Sequence, residues 1–201
     1  MPESERAVVP PAPVSRRNLE LKAVDPAPGR SLATCGRLPA ADGGLMVQRD
    51  TYFNVLDGSL KLREQTPGPT QLIQYIRSGG PSERESEYRI VRVADGEGCR
   101  AALSAALGIG AVVCKQRHLF LWKTVRIHLD DVDSLGSFIE LEAAVAPGSD
   151  LGSERALLAQ LRDALGITDE CLLADGYARQ LTVNPGAAAA VRRRLSLRAG
   201  G

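Results

Sequence analysis

The stretch that most restricts the fold is residues 124–142, TVRIHLDDVDSLGSFIELE. Two runs of strict alternation flank a short turn. Val125, Ile127 and Leu129 fall on one side of the first run, and Arg126, His128 and Asp130 on the other. In the second run, Ile139 and Leu141 oppose Glu140 and Glu142. Side chains of a strand alternate between its two faces. The segment is therefore a hairpin with one apolar face, and its other face carries an arginine and three carboxylates. That load of charge on adjacent strands points to a site for metal and phosphate.

The pattern recurs. Asn18, Glu20 and Lys22 alternate with Leu19 and Leu21, and Lys61 and Arg63 with Leu60 and Leu62. Lys115 and Arg117 lie in phase on a further apolar stretch. Two architectures fit. In one, the apolar faces form a sandwich core and the charges meet water. In the other, the strands close into a barrel with a charged lumen, and helices cover its outside.

Turn residues and periodicity predict strands over 18–24, 45–54, 60–65, 71–77, 87–93, 111–122, 124–129 and 138–145. Asp57-Gly58 is a hairpin signal, and residues 40–44 read as a loop. Helical spacing predicts helices over 95–107 and 154–165, ended by Gly108 and Gly166, the second capped by Ser153. A short helix over 30–38 and a final short element over 170–181 complete the α+β set. Residues 1–15 and the basic stretch 183–201 read as tails around one domain, 16–182. Amphipathic helices are what an apolar barrel exterior needs, which favours the lumen arrangement.

Formal net charge is +1, so whole-chain charge gives no argument for nucleic acid or membrane binding. Aromatics at 4% argue against a base-stacking platform. Cys35, Cys99, Cys114 and Cys171 form no metal-binding spacing and read as free thiols of a reducing compartment. No apolar run reaches the length of a membrane span, and residues 1–17 lack the apolar region of a signal peptide. A cytoplasmic location is expected.

In order along the chain, Asn18-Leu19-Glu20-Leu21-Lys22, Asp50-Thr51-Tyr52-Phe53, Lys61-Leu62-Arg63, Lys115-Gln116-Arg117, Arg126 with Asp130, and Glu140 with Glu142 resemble the CYTH superfamily, the triphosphate tunnel metalloenzymes. The likeness covers roughly residues 17–181 and is strongest to the class IV adenylyl cyclase-like and thiamine triphosphatase-like members. It implies an eight-stranded antiparallel barrel, open at both ends, with two or three flanking helices and triphosphate in its lumen.

By that resemblance, Glu20, Asp130, Glu140 and Glu142 would hold Mg2+ or Mn2+, which take hard oxygen ligands. Lys61, Arg63, Arg77, Lys115, Arg117 and Arg126 would bind the substrate's phosphates. Lys22 would serve as general base, its pKa lowered by neighbouring cations, with Tyr52 beside it as the second catalytic candidate. The family's first glutamate is Asn18 here, which offers an oxygen but no charge.

The implied partner is a triphosphate-bearing small molecule: ATP, inorganic triphosphate or thiamine triphosphate. The likeness implies first a class IV adenylyl cyclase-like enzyme, cyclising ATP to cyclic AMP and pyrophosphate, with hydrolysis of inorganic or thiamine triphosphate, or binding without turnover, as the alternatives. A purely structural domain is the fourth reading. The oligomeric state stays open, a homodimer included.

Overall fold

Eight strands close on themselves in the computed structural model, which describes residues 15–79 and 83–183, with Gly186 and Ala190. The expected tails over 1–15 and 183–201 lie almost wholly outside the described residues. The strands are β1 (Arg16–Val24), β2 (Ala41–Phe53), β3 (Ser59–Thr66), β4 (Gln71–Gly79), β5 (Arg84–Arg92), β6 (Ile109–Trp122), β7 (Val125–Val132) and β8 (Gly136–Val145). The helices are α1 (Pro28–Arg37), α2 (Gly96–Leu107), α3 (Gly152–Leu165) and α4 (Tyr177–Thr182).

Around the barrel the order is β1-β5-β4-β3-β2-β6-β7-β8. β2 to β5 and β6 to β8 are two antiparallel meanders. Two contacts join them. β2 pairs with β6, and β1 inserts between β5 and β8. Because the sheet is closed, alternation divides side chains into a lumen set and an outer set.

The outer set of β1, β6, β7 and β8 forms the main core. Leu19, Leu21, Ala23, Ile127, Ile139 and Leu141 pack beneath Cys35 of α1 and Leu158 and Leu161 of α3. Both faces of these strands are thus covered, and the charged face is the enclosed one. The other half of the barrel is barer. On its outside, Leu45, Val47, Ile76 and Val91 are exposed, and α2 buries no residue fully.

The lumen is not open at both ends. Val24, Val113, Val132 and Phe138 face inward at one end, where Leu173 and Tyr177 pack against them. All four are at most 2% exposed. Tyr177 opens α4, so this short helix supplies the plug, and the helices named among the described residues number four rather than two or three. Short apolar runs here belong to strand ends, so periodicity alone gave no sign that a helix would seat on them.

Three local expectations change. Residues 41–44 belong to β2, because the 14-residue β6 offers pairing as far as Ala41 opposite Leu121. A register shift between Asp42 and Gly44 absorbs the glycines. There Gly44 has φ +79°, and a Cβ at Gly43 would approach the Leu119 side chain to 3.0 Å. Ser153 does not cap α3. The helix starts at Gly152, after Leu151 in the left-handed region at φ 69°. Ser153 lies in its first turn, with its hydroxyl donating to Glu154 at 3.0 Å. The final element splits into a 3-10 turn, Asp169–Cys171, and α4.

All four cysteines are free thiols, and burial pushes Cys35 up to about 11. Among the described residues no helix is long and apolar enough to cross a membrane.

Leu158 is wholly buried between α3 and the barrel, whereas Val47 is 57% exposed on the bare side. Leu158→Ala is expected to cost about 2–5 kcal/mol in urea unfolding. Val47→Ser is expected to cost less than about 0.5 kcal/mol.

Candidate functional site in the barrel lumen

Cross-strand register assembles the site. Lys22 of β1 sits opposite Glu140 of β8, and Glu140 also sits opposite His128 of β7. One step toward the open end, Glu142 lies between Glu20 of β1 and Arg126 of β7. Arg117 of β6 faces Asp130 of β7, and Arg63 of β3 faces Asp50 of β2. Directly opposed like charges, as at Glu20 and Glu142, destabilise a sheet. This pair stands only in a site with compensating positive charge.

The lumen encloses a cavity of about 380 Å³, within the usual size range of small-molecule sites. Eight basic side chains line it: Arg16, Lys22, Lys61, Arg63, Arg77, Lys115, Arg117 and Arg126. Three carboxylates share the lining, Glu20, Glu140 and Glu142. Every phosphate-binding candidate of the sequence therefore reaches one cavity. Basic side chains outnumber acidic ones along its wall, and Met46, Ile73, Ile90 and Leu119 are its aliphatic members.

Asp50 and Asp130 lie behind this wall, with side chains 0% exposed. Arg63 donates to both Asp50 oxygens at 2.7 Å, and Lys61 and Lys115 reach the same carboxylate at 2.9 and 3.3 Å. These cations hold Asp50 well below the usual carboxylate range against the opposing effect of burial. Arg117 donates to both Asp130 oxygens at 2.6 Å, and the Tyr177 hydroxyl donates to one at 2.7 Å. Asp130 is thus occupied as an anchor for Arg117 and is absent from the cluster of metal-ligating atoms described below.

The other carboxylates are paired within the cavity. Lys22 donates to Glu140 Oε1 at 2.9 Å, and Arg117 to Oε2 at 2.7 Å. Arg126 donates twice to Glu142 Oε2, at 3.0 and 2.8 Å. Arg77 donates to Glu20, with Arg84 at 3.9 Å. Burial, with Glu140 and Glu142 nearby, pushes the Glu20 carboxyl up. Asn18, its amide turned to suit its neighbours, accepts from Arg126 at 2.8 Å.

Burial lowers both inner lysines, and Lys115 falls to about 7. Tyr52 touches Lys61 at 3.3 Å, and burial raises its hydroxyl well above the usual range. The aromatic ring over Lys22 is that of Tyr177, with Nζ 3.7 Å from its centre. Among the described residues one group can bring three ligand atoms together: His128, Glu140 and Glu142, all within 4.8 Å.

The sequence offers Asp50 only within the run Asp50-Thr51-Tyr52-Phe53 and assigns no role to Arg84, His128 or Tyr177. Asp50 carries a readable signal, being a charge in phase with Gln48 and Tyr52 on the strand before Lys61 and Arg63. Arg84 carries none, because only the distant pairing of β1 with β5 brings it to Glu20.

Asp50→Ala would leave Lys61, Arg63 and Lys115 buried without their shared anion. It is expected to cost about 3–5 kcal/mol in urea unfolding, and millimolar inorganic triphosphate should restore more stability to the variant than it adds to the wild type.

No curated protein matches the sequence. Solved structures do. The PH1012 protein of Pyrococcus horikoshii OT3 superposes with a TM-score of 0.72 at 20% identity, covering 81% of this chain and 98% of that one. A candidate adenylate cyclase from Vibrio parahaemolyticus gives 0.69 at 17% identity, covering 82% and 97%. The Hippeastrum protein HpAC1, named as a candidate adenylyl cyclase with a dominant triphosphatase activity, gives 0.57 at 14%, covering 86% and 96%. At these identities the likeness is one of fold. The model of the CYTH domain, by contrast, matches residues 16–177, the whole barrel up to the plug, and the chain belongs to the CYTH domain family.

Proposed function

We propose that the lumen binds the triphosphate group of a small molecule with a divalent cation and cleaves a phosphoanhydride bond by attack of water. The observation that carries this reading is the charge of one enclosed cavity, eight basic side chains against three carboxylates. A chain of phosphates answers that excess at a length that a single phosphate does not.

The apolar plug beyond Lys22 and Lys115 leaves one way in. A linear triphosphate enters with its terminal phosphate leading and its organic group toward Met46, Ile90 and Leu119 at the mouth. The ligand meets cations that Asp50, Asp130 and Glu140 already hold in place. Arg63 and Arg117, each fixed by two hydrogen bonds to a buried carboxylate, cost little reorganisation when they meet phosphate oxygens. Phosphoryl transfer depends mainly on such positioning and charge stabilisation.

The residues fit a divalent cation. Glu140 and Glu142 supply hard oxygens, and the buried His128 Nδ1 beside them has no hydrogen-bond partner. A bound cation would neutralise developing charge on the phosphates. Lys22, lowered by burial, is the candidate to take a proton from the attacking water. Tyr52 stays protonated and steadies Lys61.

Cyclisation of ATP is the second reading, and the apolar mouth favours it by offering room for a nucleobase. Product analysis with inorganic triphosphate, thiamine triphosphate and ATP, each with Mg2+ or Mn2+, separates the two. Orthophosphate without cyclic AMP is the expected result. Cyclic AMP with pyrophosphate overturns it. Arg63→Ala is expected to lower kcat by about 10²–10³-fold.

Lys115 adds a pH signature. With a free value of about 7 it is mostly neutral at pH 8, and a phosphate beside it favours the charged form. Triphosphate binding at pH 8 should therefore take up about one proton more in the wild type than in Lys115→Arg. At pH 5.5 the difference should vanish, since Lys115 is already charged. Calorimetry in buffers of different ionisation enthalpy reads both.

A further inference from the structure

We propose that His128 is itself a ligand of the divalent cation, alongside Glu140 and Glu142, and that it tunes the lumen toward first-row transition ions over magnesium. The inference rests on reading the lumen as a metal and triphosphate site, and it adds an imidazole to a donor set otherwise made of carboxylates.

The geometry is specific. His128 is 4% exposed and lies directly across β7 and β8 from Glu140. Its Nδ1 sits 3.5 Å from Glu140 Oε2 and 3.8 Å from Glu142 Oε1. At these distances Nδ1 makes no well-formed hydrogen bond to either carboxylate. Glu140 Oε2 instead accepts from Arg117 at 2.7 Å, and both Arg126 hydrogen bonds fall on Glu142 Oε2. Glu142 Oε1 is thereby turned toward the histidine. A buried polar nitrogen left without a partner is costly to keep. An imidazole nitrogen buried beside two carboxylate oxygens, with all three ligand atoms within 4.8 Å of one another, is arranged as a third donor.

Donor chemistry then gives the selectivity. Magnesium takes oxygen ligands and holds its waters, whereas imidazole nitrogen suits zinc, cobalt, nickel and iron. Replacing one oxygen by nitrogen favours the transition ions and does little for magnesium. Asp130 lies outside the group of ligand atoms that could share an ion with His128.

The test is titration of the full chain with Mg2+, Mn2+ and Co2+ alone, followed by calorimetry, and electron spin-echo spectroscopy of bound Mn2+. The wild type should bind Co2+ and Mn2+ at least about tenfold more tightly than Mg2+. Bound Mn2+ should show coupling to an imidazole nitrogen. His128→Gln should lose that coupling and bring the Co2+ to Mg2+ ratio within about threefold, with Mg2+ affinity retained.

The chain has two histidines, and His118 lies on the outer surface beside Asp42. Coupling that persists in His118→Gln therefore belongs to His128 and needs no variant of the lumen to fold. Absence of nitrogen coupling in metal-loaded wild type overturns the inference, as does an unchanged ion ratio in folded His128→Gln. If the wild type binds none of the three ions, with or without inorganic triphosphate, the metal reading of the lumen falls as well. If it binds Mn2+ through nitrogen but turns over no triphosphate, the inference stands and the proposed reaction is overturned.

Discussion

Asp50 is the constraint on which the lumen depends. Its carboxylate is fully buried and holds Arg63 through two hydrogen bonds, with Lys61 and Lys115 beside it. Three cations on two adjacent pairs of strands would otherwise repel one another in a low-dielectric interior. Asp130 does the same for Arg117, and it ties the plug to the wall through the Tyr177 hydroxyl. Two hidden carboxylates thus allow the folded chain to present a cationic surface inward. The anions that line the cavity, Glu20, Glu140 and Glu142, are a separate group, each paired with a lumen cation.

This division explains how a barrel can be both stable and receptive. Its apolar stabilisation lies outside, under α1 and α3, where Leu158, Leu161 and Ile127 pack. The lumen contributes electrostatics held in balance. Buried ion pairs are weak sources of net stability, since desolvation offsets much of their attraction. Here they serve arrangement: Arg63 and Arg117 are each fixed in direction by two hydrogen bonds to a buried carboxylate. The plug of Phe138, Val24 and Tyr177 closes one end of the cavity.

Several features of the site were legible because they are periodic. Glu20 with Lys22, Lys61 with Arg63, Lys115 with Arg117, and Glu140 with Glu142 each occupy alternate positions, so shared facing follows from strand geometry alone. The order of these pairs also carried the family likeness. What periodicity cannot give is which strand lies beside which. Glu20 and Arg84 meet because β1 turns to β5, more than sixty residues away, and nothing local encodes it. Tyr177 was legible only as a lone aromatic near the end of the chain, yet it stacks on Lys22 and bonds Asp130. Residues 41–44 looked like a loop because of their glycines, and the length of β6 overrode that preference.

The sequence by itself determined that strands of this chain have two chemically distinct faces, and it named most of the charges on one of them. It could not determine whether that face meets water or itself, because alternation is the same in a sandwich and in a closed barrel. Tertiary closure decided the matter by bringing β1 between β5 and β8. Once the sheet closes, charges that would have been solvated must be paired, and the pairing is set by register. Register decided that Asp130 anchors an arginine, that His128 stands unbonded between two glutamates, and that the lumen ends in an apolar plug.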